Sequence, residues 1–141
     1  MSDLAWTSAA NGWGPAERDR SNGEQAAGDG RTLTIGGTQY AKGLGTHAAA
    51  TVTYYLGGSC TGLSTDVGVD DEVGNSGSVV FRVYADGVKV AESATLTGSA
   101  AAAHLDAPLT GAYELTLQVA DAGDGNTYDH ADWGGPTLTC V

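Results

Sequence analysis

Apolar and polar residues alternate with a period of two along most of this chain. The run Tyr113-Glu-Leu-Thr-Leu-Gln-Val119 does so cleanly, and Val52, Tyr54 and Leu56 alternate with Thr51, Thr53 and Tyr55. Leu63, Thr65, Val67 and Val69 interleave with Ser64, Asp66, Gly68 and Asp70. Successive side chains on opposite faces are the mark of a strand with one face buried and one wet. Ser78–Ala85 and Val88–Leu96 read as two more strands joined through Asp86-Gly87, a pair suited to a two-residue hairpin. Shorter strands are expected at Leu4–Thr7, Thr32–Ile35, Thr38–Lys42, Ala103–Asp106 and Pro136–Cys140, with Gly36-Gly37 as another tight turn. Helical periodicity extends no further than a turn or two near Ser21–Ala27. The expected fold is all-β, an antiparallel β-sandwich. A length of 141 residues is enough for one domain with a real core, placed at 1–141.

Strand parity adds a topology. If the strand at 51–56 runs away from one end of the sandwich, the loop end, then 63–69 returns to it, 78–85 leaves, 88–96 returns, 103–106 leaves, 113–119 returns and 136–140 leaves. The connecting segments Gly43–Ala50, Asp70–Gly77 and Asp121–Gly135 then gather at the loop end with charged or imidazole side chains, beside the blander Thr97–Ala102. Cys60 and Cys140 fall together at the opposite end, where one disulfide would join them. Closing so long a loop contributes on the order of 4 kcal/mol in the chain-entropy model. It also implies an oxidising, extracellular setting, so secretion is expected.

Composition narrows the partners. Six Lys and Arg stand against 17 Asp and Glu, a formal charge of −11. Such a surface repels phosphate, which argues against nucleic acid and anionic membrane. No apolar run reaches the ~20 residues needed to cross a bilayer, and the N-terminus lacks the basic flank and apolar stretch of a signal peptide.

The segment Asp121–Trp133 holds four aspartates, Asn126, His130 and Trp133 among glycines. A buried strand has no use for so many carboxylates, each of which would need a partner. Hard oxygen ligands suit calcium, and an indole beside hydrogen-bonding groups suits a sugar ring. The EF-hand spacing is absent, so Asp124, Asn126, Asp129 and Asp132 are candidates for a calcium site of another geometry, or for a solvated loop capping its own turns. Zinc is disfavoured, with one histidine here and the cysteines used elsewhere.

Trp13, flanked by glycines in Asn11-Gly-Trp-Gly-Pro-Ala-Glu-Arg-Asp19, either stacks on a pyranose with Glu17 and Arg18 reading hydroxyls or plugs one end of the sandwich. Trp6 reads as core. His47, after the glycine-loosened Lys42–Thr46, either meets a sugar hydroxyl or holds a turn; His104 reads as a surface residue. Asp70-Asp71-Glu72 places three acids in a row, which repel unless a cation or donors compensate. Adjacent strand residues face opposite ways, so these are better acceptors for sugar hydroxyls, or metal ligands, than a catalytic pair.

Taken together, the chain resembles the NPCBM domains, the family 51 carbohydrate-binding modules appended to glycoside hydrolases. The resemblance is carried by Trp6 with Asn11–Asp19, by Tyr40-Ala-Lys-Gly-Leu-Gly-Thr-His-Ala48, by Val67-Gly-Val-Asp-Asp-Glu72 and by Asp129-His-Ala-Asp-Trp133, in order along nearly the whole length. It implies a galactose-binding-like jelly-roll sandwich with a structural calcium that binds galactose-containing glycans without cleaving them and targets an attached glycoside hydrolase. His47, Asp70, Asp71 and Glu72 match the motif positions best, followed by Trp13, Glu17 and Trp133; His130 and Asp129 stand between a sugar and a calcium role. A monomer is expected. Two other functions stay open: a small glycoside hydrolase using Glu17 with Asp71 or Glu72, and an acidic adhesion domain docking on a basic protein surface.

Overall fold

A computed structural model describes residues 4–12, 16–22, 30–73, 77–98, 100–121 and 129–140. Along the chain run β1 (Ser8–Ala10), β2 (Glu17–Arg18), β3 (Leu33–Ile35), β4 (Thr38–Tyr40), β5 (Gly43–His47), β6 (Ala50–Tyr55) and β7 (Cys60–Val69). A single 3₁₀ turn, Asp71–Val73, precedes β8 (Ser78–Ala85), β9 (Val88–Glu92), β10 (Leu96–Thr97), β11 (Ala103–Pro108), β12 (Glu114–Ala120) and β13 (His130–Cys140). The first sheet has the order β1-β6-β12-β8-β10, with β9 also on β8; the second has the order β11-β7-β13-β5-β2. The pairings are antiparallel, and β3 and β4 form a separate hairpin.

The expected sandwich is therefore present, and period two builds its core. Val52, Tyr54, Phe81, Val83, Leu115 and Leu117 of the first sheet meet Leu44, Leu63, Val67, Val69, Ala131 and Trp133 of the second. Trp133 is fully buried and packs edge-on against Phe81, with ring centroids 5.0 Å apart. Cys60 and Cys140 are bonded, 80 residues apart in sequence, at the end opposite the gathered acidic segments. Gly36 and Gly37, both at positive φ (55° and 85°), make the turn of the β3–β4 hairpin, a conformation glycine adopts without steric cost.

Several expectations shift. The strand expected at Leu4–Thr7 lies further on, at Ser8–Ala10, where Ser8 to Ala10 pair with Thr53 to Thr51. Val88–Leu96 divides into β9 and β10, which pair with successive stretches of the same edge of β8, the edge away from β12. The largest change is in β13, which begins at His130 instead of Pro136. Ala131 and Trp133 point to the core while His130 and Asp132 point outward, so the alternation was present under residues that read as a loop.

Under the β3–β4 hairpin the outer face of the second sheet is not wet either. Its outward positions include Gly43, Gly68 and Gly134, and the β3–β4 hairpin lies on this bed of glycines, while the Arg20–Ser21 backbone covers Gly45. A β-carbon at Gly68 would overlap Ile35 Cγ2, and one at Gly134 would come within 2.9 Å of three Tyr40 ring carbons. Leu33 and Ile35 are fully buried as a result. The hairpin thus forms a third, partial layer, and its upper end meets the loop end of the sandwich.

Candidate functional site

Directly paired residues on neighbouring strands share a face. His47 pairs with His130, Gly45 with both Glu17 and Asp132, and Asp132 with Gly68. Glu17, His47, His130 and Asp132 therefore lie on one outer face of the second sheet, with Asp70 and Glu72 just past the end of β7. Residues far apart in sequence are gathered because the sheet order β7-β13-β5-β2 sets them side by side.

Glu72 is the centre of this group. It accepts from His130 Nδ1 at 2.7 Å and from Ser21 Oγ at 2.8 Å, and Ser21 Oγ in turn accepts the Arg31 amide at 2.9 Å. Burial alone would raise the Glu72 carboxyl, but the bonds from His130 and Ser21, with the charges of His130 and Arg31, outweigh it and hold the group below its ordinary range. Glu72 is thus an ionised acceptor at neutral pH. Its side chain is 16% exposed against 5% for that of His130, so Glu72 reaches the surface and the imidazole stands behind it.

His47 is buried, and its ring meets that of His130 edge-on at 5.1 Å. Its Nδ1 lies 2.9 Å from the Ala48 carbonyl, which only accepts, so Nδ1 carries the proton and Nε2 is the acceptor nitrogen of the neutral ring. The His47 amide donates to Asn11 Oδ1 at 2.8 Å, tying the 11–12 segment to the end of β5.

The three consecutive acids divide their work, because the chain enters a 3₁₀ turn at Asp71, directly after Asp70, and does not continue as a strand. Asp70 accepts the Thr34 amide at 3.2 Å and the Glu72 amide at 3.0 Å. Asp71 accepts the amides of Gly36 at 2.8 Å and Gly37 at 2.7 Å. Both therefore clamp the β3–β4 hairpin to the loop end, while Glu72 bonds to His130 and Ser21. Beneath them Asp132 is fully buried, and neither of its oxygens meets an N–H or O–H donor. Burial, then the Asp70 carboxyl, push Asp132 well above the ordinary carboxylate range; the Thr34 amide, committed to Asp70, offsets this only in part. The pair is satisfied when Asp132 keeps its proton and donates a hydrogen bond through it to the Asp70 carboxylate.

Other predicted site residues fall elsewhere. Trp133 stands inside the core on Phe81 and has no face to offer a ligand. Glu17 is buried beside Gly45. Trp6 packs at the core edge beneath the Arg18 guanidinium, 4.1 Å from its ring centroid. Trp13, Asp124 and Asn126 lie outside the described residues. Asp129 accepts the Ser78 amide at 2.8 Å, on the side of β13 facing the first sheet, whereas Asp132 lies on the other side. Asp129 and Asp132 therefore lie on opposite sides of β13. Among the described residues, no group of three or more His, Cys, Asp or Glu side chains is arranged to hold a metal ion.

The accessible part of the site is a depression of about 360 Å³ lined by Arg31, Thr32, Thr34, Gln39 and the Asp70–Glu72 turn. Arg31 and Gln39 were not singled out from the sequence, since one precedes and the other sits in a short hairpin with no motif. Their signal was Arg31's rarity, one of six cations in the chain. The arrangement sets a guanidinium, a carboxamide and a fixed carboxylate around a space open to solvent. It can read several hydroxyls of an uncharged ligand at once.

Residues 1–139 match the family described as the NPCBM/NEW2 domain. A Renibacterium salmoninarum protein named as an endo-alpha-N-acetylgalactosaminidase is 42% identical over 140 residues, which is 99% of this chain and 9% of that protein. Among solved structures, the CBM51 of Clostridium perfringens GH95, in complex with methyl-galactose, superposes with a TM-score of 0.87 at 38% identity, covering 98% of this chain and 97% of that one. CBM51-2 of Clostridium perfringens ZmpB, in complex with GlcNAc, superposes with a TM-score of 0.87 at 31% identity over 99% of this chain and 31% of that one.

Proposed function

Because the chain belongs to the NPCBM/NEW2 domain family, we propose that it is a non-catalytic carbohydrate-binding module whose loop-end depression takes a galactose-type sugar and brings an attached glycoside hydrolase to its glycan. The observation that carries this is Glu72: a carboxylate fixed by His130 and Ser21, kept ionised, and set beside Arg31 at the mouth of the depression. Recognition then needs no chemistry beyond hydrogen bonding. Glu72 accepts from vicinal hydroxyls, while Arg31 and Gln39 donate to ring or hydroxyl oxygens. The buried His47–His130 pair fixes the Glu72 carboxylate, so little ordering is left to offset on binding. The full-length likeness to a module seen with methyl-galactose supports galactose as the first sugar to try. A single site of this kind is expected to bind at 10 µM to 1 mM, about −7 to −4 kcal/mol.

The chain spans 9% of its Renibacterium relative, so the hydrolase it accompanies is read from that relative's name and is part of the proposal. A hydrolase reading of the chain itself finds less support. Asp71 spends both oxygens on turn amides, and Glu17 is buried. Export is proposed from the Cys60–Cys140 bond, since disulfides persist in oxidising compartments. Calcium is proposed for the loop-end segment of Asp124, Asn126 and Asp129, without Asp132. Retention on immobilised galactose, eluted by free galactose and lost on Arg31→Ala, is the expected result. Passage through the column unretarded, or release of a sugar from an aryl galactoside, would overturn it.

A further inference from the structure

Nearer the disulfide end, the same outer face of the second sheet carries a second set of polar side chains that the loop-end site does not use. Tyr40 lies flat on the sheet, with one ring face seated over the Gly134 backbone. Its hydroxyl donates to Asp66 Oδ2 at 2.7 Å. Burial and that carboxylate push the phenol up to about 12, so it stays a neutral donor. The other Asp66 oxygen meets His104 Nδ1 at 2.8 Å. His104 Nε2 lies 3.0 Å from Ser64 Oγ and 3.1 Å from Asp106 Oδ1. Residues from β4, β7 and β11 are thus tied into one array, around a depression of about 400 Å³ floored by Gly134 and Gly135 and bordered by Thr137.

Packing does not require this array. The His104 and Asp106 side chains are 54% and 75% exposed, yet the imidazole is held at both nitrogens. Exposed side chains kept in one orientation beside an aromatic ring suit a ligand that offers an apolar face and a rim of hydroxyls, as a pyranose does. Two carboxylates beside one imidazole, on a chain of net charge −11, disfavour anionic ligands.

We propose that this face is a second carbohydrate subsite. It takes an uncharged pyranose against the outer face of Tyr40, with His104 and the Thr137 hydroxyl reading its hydroxyls and Asp66 and Asp106 acting as positioning residues that hold the His104 ring. The ligand class rests on the sugar-binding reading of the loop end; the geometry does not. The test is a titration of the isotope-labelled chain with galactose to about 100 mM, followed by amide chemical shifts. The expected result is two saturating groups of shifts: Glu72 and His130 at the loop end, and Thr65, His104 and Gly135 on the sheet face with a weaker constant. His104→Ala should weaken the second group about tenfold and leave the first unchanged, which also shows that the variant is folded. Loop-end shifts alone would overturn the second subsite and leave the first standing. Sheet-face shifts alone would overturn the loop-end reading instead, and no shifts at either place would overturn both.

Discussion

Replacing Glu72 by Gln keeps the side chain's size and removes its charge, and the surrounding bonds set the cost. Glu72 accepts at 2.7 Å from His130 and at 2.8 Å from Ser21. Bonds to a charged group contribute about 1.5–3 kcal/mol each, and a buried donor left without an acceptor costs about 1–3 kcal/mol. The glutamine retains one acceptor oxygen and turns its NH₂ toward the other donor. With His130 only 4% exposed, water does not replace the lost partner. The net loss at pH 7 should be about 2–3 kcal/mol, a fall in Tm on the order of 10 °C for a domain of this size. The pH dependence has a definite sign. Folding holds the Glu72 carboxyl below its ordinary value of 4.5. Its stabilisation is therefore complete above that value and is lost as pH falls through the lower folded-state value. Thermal unfolding followed by circular dichroism at pH 7, 5 and 3 should show the variant well below the parent at pH 7 and approaching it at pH 3. Equal Tm at pH 7, or a constant offset at every pH, would refute the role assigned to Glu72.

Three further outcomes follow from the packing. Gly68→Ala sets a β-carbon against the buried Ile35; overpacking of this kind costs about 1–3 kcal/mol, and denaturant melts should show it together with weaker sugar binding as the hairpin lifts. Trp133→Phe removes core volume next to Phe81, so chemical unfolding should show a loss of about 1–3 kcal/mol while galactose affinity stays unchanged; a large drop in affinity would return Trp133 to the site. Calcium held at 100 times its dissociation constant would stabilise by about 2.7 kcal/mol, so EGTA should lower the Tm and Asp129→Ala should abolish the difference; identical melts with and without chelator would remove calcium from the account.

The sandwich was legible because its core residues alternate: Val52 and Tyr54 in β6, or Leu115, Leu117 and Val119 in β12, give their strand and facing directly. Parity then carried the loop end and the cysteine pair. Legibility failed where both faces of a strand are covered. In β13 the outward His130 and Asp132 look like loop residues, yet His130 is buried against Glu72 and His47 and Asp132 beneath Asp70 and Thr34, and local pattern holds no trace of that cover. The glycines of β5 looked like loosened backbone; Gly43, with Gly68 of β7 and Gly134 of β13, instead allows close approach, giving Leu33, Ile35 and Tyr40 a floor. The row Asp70-Asp71-Glu72 announced a polar site, but only the 3₁₀ turn decides that two of the three are spent on Thr34, Gly36 and Gly37. Arg31 and Gln39 became visible only once the hairpin was placed beside Glu72.

The central claim is that the loop-end depression binds a galactose-type sugar. Isothermal titration of the chain with galactose, repeated with Arg31→Ala, tests it most directly. The account predicts saturable heat with a dissociation constant of about 10 µM to 1 mM, weakened at least about tenfold by the substitution. No heat with galactose, or an affinity indifferent to Arg31, would contradict it.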